Sequence, residues 1–106
     1  MKSDRFYTIH IQECIARIQS YVSGIDEEQF MASSLLQDAV IRNLQVLAES
    51  TQRLSDDFKI QHSEIEWHKI SGLRNILVHD YLGIDSETVW HIISNELSSL
   101  QKALED

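Results

Sequence analysis

The sequence predicts an all-α fold, an antiparallel bundle of four or five helices, on three observations. Apolar residues recur at steps of three and four along most of the chain, the mark of helices with one buried face. Proline is absent and glycine occurs only three times in 106 residues, which suits long uninterrupted helices better than a turn-rich β fold. The gaps between apolar runs carry helix-start chemistry rather than strand or hairpin signals. This length fits a single domain over residues 1–106 with one core.

The first helix is expected from Phe6 to Val22, with Ile11, Cys14, Ile15, Ile18 and Val22 on its inner face and Gly24 as its stop. A second helix begins at Asp26. There the Asp26 carboxylate can cap, Gln29 can reach back as in a capping box, and Ile25 can staple onto Phe30. Leu35, Leu36, Ala39, Val40, Leu44, Leu47 and Ala48 keep the helical period to about Leu54, with or without a break at Ser33-Ser34. Ser55 to Ser63 is polar and aperiodic apart from Phe58 and Ile60, and reads as the longest connection. A third long helix is expected from about Glu64 to Tyr81, with Trp67, Ile70, Leu73, Leu77 and Val78 inward. Gly72 within it costs about 1 kcal/mol relative to alanine, so it either permits close helix approach or is merely tolerated. Gly83 closes that helix. Asp85 then caps the last one, Ile84 staples onto Val89, and Ile92, Ile93, Leu97, Leu100 and Leu104 carry it to the end.

Composition excludes several classes of function. Apolar runs of four residues or fewer are far too short to span a bilayer, and the N-terminus lacks the apolar core of a signal peptide, so a cytoplasmic location without membrane contact is expected. A single cysteine, Cys14, sits among isoleucines and reads as a small buried hydrophobe. His10, His62, His68 and His91 form no metal-ligand spacing, so neither metal nor cofactor is expected; Trp67 and Trp90 fall on apolar faces and read as core. The net charge of −8 argues against broad duplex binding, which draws on neutralised phosphates, and leaves room for a local site with two or three cations or for a basic protein partner.

One segment gathers groups that could do chemistry. In Arg74-Asn75-Ile76-Leu77-Val78-His79-Asp80-Tyr81, Asn75 and His79 are i and i+4 and share a face. Arg74 lies about 140° around the helix from His79, within reach of the same edge through its long side chain. Arginine offers a permanent charged fork for phosphate oxygens, histidine a proton near neutral pH, and asparagine a group to orient the imidazole or bind substrate. By spacing alone the plainer description holds: a surface arginine paired with a carboxylate, and a half-buried histidine and tyrosine at the bundle rim. Arg42 and Glu49, seven apart, either line the same cleft, with Glu49 holding Arg42 or Arg74, or are ordinary solvated charges.

The R-x-x-x-x-H-x-Y octet, the Trp-containing lead-in Ile65 to Leu73 and the run Val89-Trp90 to Ile93 resemble the HepT-like toxins of the HEPN superfamily, as do Leu36 to Leu44 and Ala48-Glu49-Ser50. The likeness covers essentially the whole chain. It departs from the family's pattern at Glu66, where many relatives have proline, and at Ala48-Glu49-Ser50, where Gly-Glu-Ala is common. The resemblance implies a homodimeric, metal-independent ribonuclease, encoded beside an MntA-type nucleotidyltransferase antitoxin, that cuts an RNA such as a tRNA or mRNA by attack of the 2′-hydroxyl. It implies His79 as base or acid, Arg74 as charge stabiliser, Asn75, Arg42 and Glu49 in support, and Tyr81 as the residue that receives AMP from the antitoxin. The competing expectation is a non-catalytic subunit that presents substrate or nucleotide to the nucleotidyltransferase.

Overall fold

In the computed structural model, which describes residues 3–79 and 85–105, most helices start where the sequence supplies a specific capping group. Helix α1 (Asp4–Val22) is capped by the Ser3 hydroxyl, which accepts from the Phe6 amide, and Gly24 turns the chain beyond it at φ 77°. Helix α2 (Glu27–Met31) begins with the complete capping box: Asp26 accepts from the Gln29 amide at 2.8 Å, and the Gln29 carbonyl oxygen accepts from the Asp26 amide at 2.9 Å. The question at Ser33-Ser34 resolves as a break. The Ser33 hydroxyl accepts from the Leu36 amide and opens a new helix, α3 (Ser34–Gln52), while Gln37 reaches back to the carbonyls of Phe30 and Met31.

Ser55 to Ser63, expected as a connection, contains a helix, α4 (Asp56–Gln61). Ser55 caps it, Asp56 and Asp57 occupy its positive end, and Phe58 stacks on His62 and meets the edge of Trp67. The Trp67 indole N–H donates to the carbonyls of Lys59 and His62, both at 3.1 Å, tying α4 to the start of α5 (Trp67–His79). That start lies three residues later than expected, because the backbone from His62 to Trp67 turns through the short bonds Ile65 to His62 and Trp67 to Ile65. Gly83 as a stop and Ile84 as a staple lie outside the described residues. The Asp85 cap forms as expected, accepting from the Thr88 amide at 2.7 Å at the head of α6 (Ser86–Asn95). Glu96 separates α6 from α7 (Leu97–Ala103), yet its amide still bonds Ile92 and its carbonyl accepts from Leu100, so hydrogen bonding continues across the joint.

Cross-helix bonds fix the antiparallel order. The Asp4 carboxylate at the head of α1 accepts from the backbone and hydroxyl of Ser55, just beyond the tail of α3. Gln12 bonds the Leu104 carbonyl and Gln19 bonds Gln101, so α1 and α7 run oppositely. The core these helices enclose holds Ile11, Cys14, Ile15, Ile18, Phe30, Val40, Leu44, Leu47, Leu77 and Val89, with Trp67 and Trp90 packed at its edge. Cys14 is buried and free, and burial pushes its thiol pKa up, as suits a packed hydrophobe rather than a reactive group. Among the described residues no helix is long and apolar enough to cross a membrane.

Two measurements follow from this packing. Leu44→Ala, at a fully buried position, should cost about 2–5 kcal/mol in urea unfolding, whereas Leu35→Ala at 81% exposure should stay within about 0.5 kcal/mol. The two Ser55 hydrogen bonds hold the Asp4 pKa below its ordinary 3.8, so this clamp stabilises the fold above that value and is lost as pH falls through the folded pKa. Urea midpoints measured down this range should therefore fall less steeply in Asp4→Asn than in the wild type.

Candidate active site

The motif arginine stands on a seam whose geometry comes from three polar side chains of α3. Gln45, Glu49 and Gln52 recur at steps of four and three, on the flank of the buried stripe Leu44, Leu47, Ala48 and Thr51. Each crosses to α5. The Gln45 amide donates to the Leu77 carbonyl at 3.0 Å, Glu49 meets Arg74 at 3.2 Å, and the Gln52 amide donates to the Ser71 hydroxyl at 2.8 Å. The partners descend 77, 74, 71 as the α3 positions ascend, so the two helices are antiparallel and their rotation about their own axes is set. Leu77 is thereby turned fully into the core and Arg74 is left half-buried at its margin.

The Arg74–Glu49 contact runs from Nε to Oε2, and the Arg74 side chain keeps 31% exposure. Among the described residues no other group engages the Arg74 terminal nitrogens, which leaves donors for an incoming anion. Glu49 has a second partner. Its Oε1 lies 3.8 Å from Nη2 of Arg53, one turn on, at the C-terminal cap of α3. Of the two readings open for Glu49, the structure shows it holding Arg74 rather than Arg42. Arg42 is exposed two turns earlier on α3 and makes no ion pair among the described residues. Asn75 is exposed beside Arg74. His79 is the last described residue of α5, about 7.5 Å of helical rise beyond Arg74; its side chain, like all of Tyr81, lies outside the described residues.

Among the described residues, three of the four remaining histidines have local partners. His62 lies 3.5 Å from Glu64 and stacks on Phe58, His10 meets the edge of Phe6, His91 pairs with Asn95, and His68 is exposed. Among the described residues no group of His, Cys, Asp and Glu could hold a metal ion. Gly72 is exposed, and among the described residues a Cβ built there would meet no atom within 4 Å, so their packing does not require it. Sequence reasoning missed Gln45, Gln52, Ser71 and Arg53. The spacing of the two glutamines was visible, but no pattern within α3 says which neighbouring helix a polar side chain will meet.

A half-buried arginine clasped by a glutamate from the neighbouring helix thus stands five residues before a helical histidine. The family model for HepT-like ribonucleases matches residues 11–106. The chain belongs to the HepT-like family. A candidate RNase of Caldanaerobacter subterraneus subsp. tengcongensis is 35% identical over all of this chain and 95% of its own length. A candidate ribonuclease HepT of Thermococcus cleftensis is 32% identical over 98% of this chain and 94% of its own. The mRNA nuclease HepT of Shewanella oneidensis is 30% identical over 90% of this chain and 88% of its own. No solved structure gives a significant match. HepT-like membership agrees with the all-helical fold, and the matched span contains both halves of the Glu49–Arg74 seam.

Removing a seam bond should be felt in stability, and removing its outlying cation should not. Gln45→Ala should cost about 0.5–1.5 kcal/mol in urea unfolding, since the bond it makes to Leu77 is lost. Arg53→Ala, which breaks only an exposed i, i+4 pair, should cost no more than about 0.5 kcal/mol.

Proposed function

We propose that this chain is the toxin of a HepT/MntA-type toxin–antitoxin pair, a cytoplasmic, metal-independent RNA endonuclease whose active site forms where two copies meet. The observation that carries this reading is Arg74, held through its Nε by Glu49 with no other partner among the described residues, on the same helix as His79 in a chain of the HepT-like ribonuclease family.

The chemistry asked of these residues is modest. His79 of one copy takes the proton of an RNA 2′-hydroxyl, and the freed oxygen attacks the adjacent phosphorus. As the new P–O bond forms, the bond to the 5′-oxygen of the next nucleotide breaks, and that oxygen receives a proton from the second His79. The products are a cyclic phosphate end and a 5′-hydroxyl end. Arg74 meets the charge that accumulates on the phosphorane oxygens, where a fixed guanidinium costs no reorganisation. Asn75, next in the chain, orients the imidazole or the substrate, and Arg42 extends the positive edge of the cleft. A single histidine cannot easily serve as base and acid in one turnover, which is the reason for a composite site. The open space at Gly72 supports the same assembly, because a helix surface without a Cβ lets a second α5 approach closely.

Tyr81 follows His79 by two residues. An AMP group placed on its hydroxyl by the antitoxin adds phosphate charge and bulk beside the proposed base, repelling RNA and blocking entry. The net charge of −8 favours one other reading, a non-catalytic subunit that presents substrate or nucleotide to the nucleotidyltransferase.

Purified protein should cut RNA with EDTA present. His79→Ala should fold normally and lose about 10²–10⁴-fold in rate, and Arg74→Ala about 10²–10³-fold. Cleavage that depends on added metal, or full activity in His79→Ala, contradicts the ribonuclease mechanism; complex formation with the antitoxin and no cleavage supports the second reading. Co-expression with the antitoxin should add one or more AMP units to the intact mass of the wild type and none to Tyr81→Phe.

A further inference from the structure

We infer that Arg53 is a second phosphate-holding residue, which grips the backbone of single-stranded RNA beside Arg74; the inference rests on the ribonuclease reading. The geometry points to it through Glu49. One carboxylate is shared by two guanidinium groups from different helices, Oε2 at 3.2 Å from Arg74 and Oε1 at 3.8 Å from Arg53. Two arginines that converge on one oxyanion form a ready anion site, since planar forks of fixed charge match carboxylate and phosphate oxygens alike. The carboxylate neutralises only one of the two charges. The trio is therefore locally cationic on a chain whose net charge is −8.

Accessibility agrees. The Arg53 side chain is 61% exposed and that of Arg74 31%, so a phosphate can reach both guanidinium groups without unfolding the seam. Gln52, adjacent to Arg53 and bonded to Ser71 of α5, keeps this end of α3 in place. Arg42 lies eleven residues before Arg53, which returns it to within about 20° of the same face of α3 and about 16 Å along the axis. Arg42, Glu49 and Arg53 thus form one stripe beside α5, and three of the nine Lys and Arg residues, counting Arg74, lie along it.

An exposed i, i+4 ion pair is ordinarily a local surface feature, and the chain supplies its own control for that alternative. Arg17 and Glu13 on α1 form a pair of the same spacing and the same 3.8 Å separation, with no second arginine on the carboxylate. The test is binding of an uncleavable 2′-O-methyl single-stranded oligonucleotide by the full chain between about 50 and about 200 mM salt. Arg53→Ala should bind about tenfold more weakly at low salt and lower the slope of log affinity against log salt by about 0.7, the loss of one phosphate contact. Arg53→Lys, which retains the charge and loses the fork, should recover the slope and part of the affinity. Arg17→Ala should match the wild type.

A wild type that binds and cuts RNA while Arg53→Ala behaves identically overturns the inference and leaves the ribonuclease reading standing. An equal loss in Arg17→Ala overturns it too, since general charge would then account for the effect. A wild type that neither binds nor cuts RNA defeats the ribonuclease reading, and this inference with it.

Discussion

The antiparallel contact of α3 with α5 is the constraint from which the rest of the site follows. Helix α5 contains Arg74 and His79, the two residues proposed to act on the phosphate and the proton, and its orientation is set by side chains that α3 extends across the seam. Leu77 enters the core at 0% exposure, and three polar contacts flank it at Gln45, Glu49 and Gln52. Burial of Leu77 provides the larger stabilising force but is non-directional. The polar contacts add about 1 kcal/mol each, and they are what choose one rotation of α5 over its neighbours. Arg74 is in consequence presented at the surface margin, half-buried and held by Glu49, rather than buried or free in solvent.

The acidic balance of the chain, awkward for a nucleic-acid enzyme, has a structural explanation. Asp26 and Asp85 are helix caps, and Asp4, Glu27, Glu28, Asp56, Asp57 and Glu87 occupy first turns. Negative charge there complements the positive end of the helix and satisfies free amides. Much of the surplus thus belongs to helix starts, and it is compatible with a local concentration of arginine along the α3–α5 seam. Net charge describes the average field around a molecule, while phosphate binding depends on the few groups within a Debye length of the site.

How much of this was legible in the sequence depended on whether the deciding contact was local. Helix starts at Asp26 and Asp85 could be read because the cap and the amide it accepts are three residues apart. The inner faces of α1 and α3 could be read because four or more buried residues repeat at helical spacing. Helix α4 could not, since six residues with only Phe58 and Ile60 apolar give no period to detect, and Ile60 is 72% exposed. The late start of α5 depends on Trp67 reaching the carbonyls of Lys59 and His62, a contact that requires α4 to be known first. At the site, Arg74 and Glu49 were both singled out, but not Arg53, because an i, i+4 pair on a helix surface has no distinguishing signature until a third charge from another helix joins it.

The reaction proposed for this chain is a transphosphorylation carried out by histidine and arginine across two copies. The chemical identity of the cut ends tests it most directly. RNA digested by the wild-type protein in EDTA should yield fragments ending in a 2′,3′-cyclic phosphate and beginning with a 5′-hydroxyl, read by mass spectrometry. Fragments with 3′-hydroxyl and 5′-phosphate ends would contradict it, since those ends require attack by water on the opposite bond.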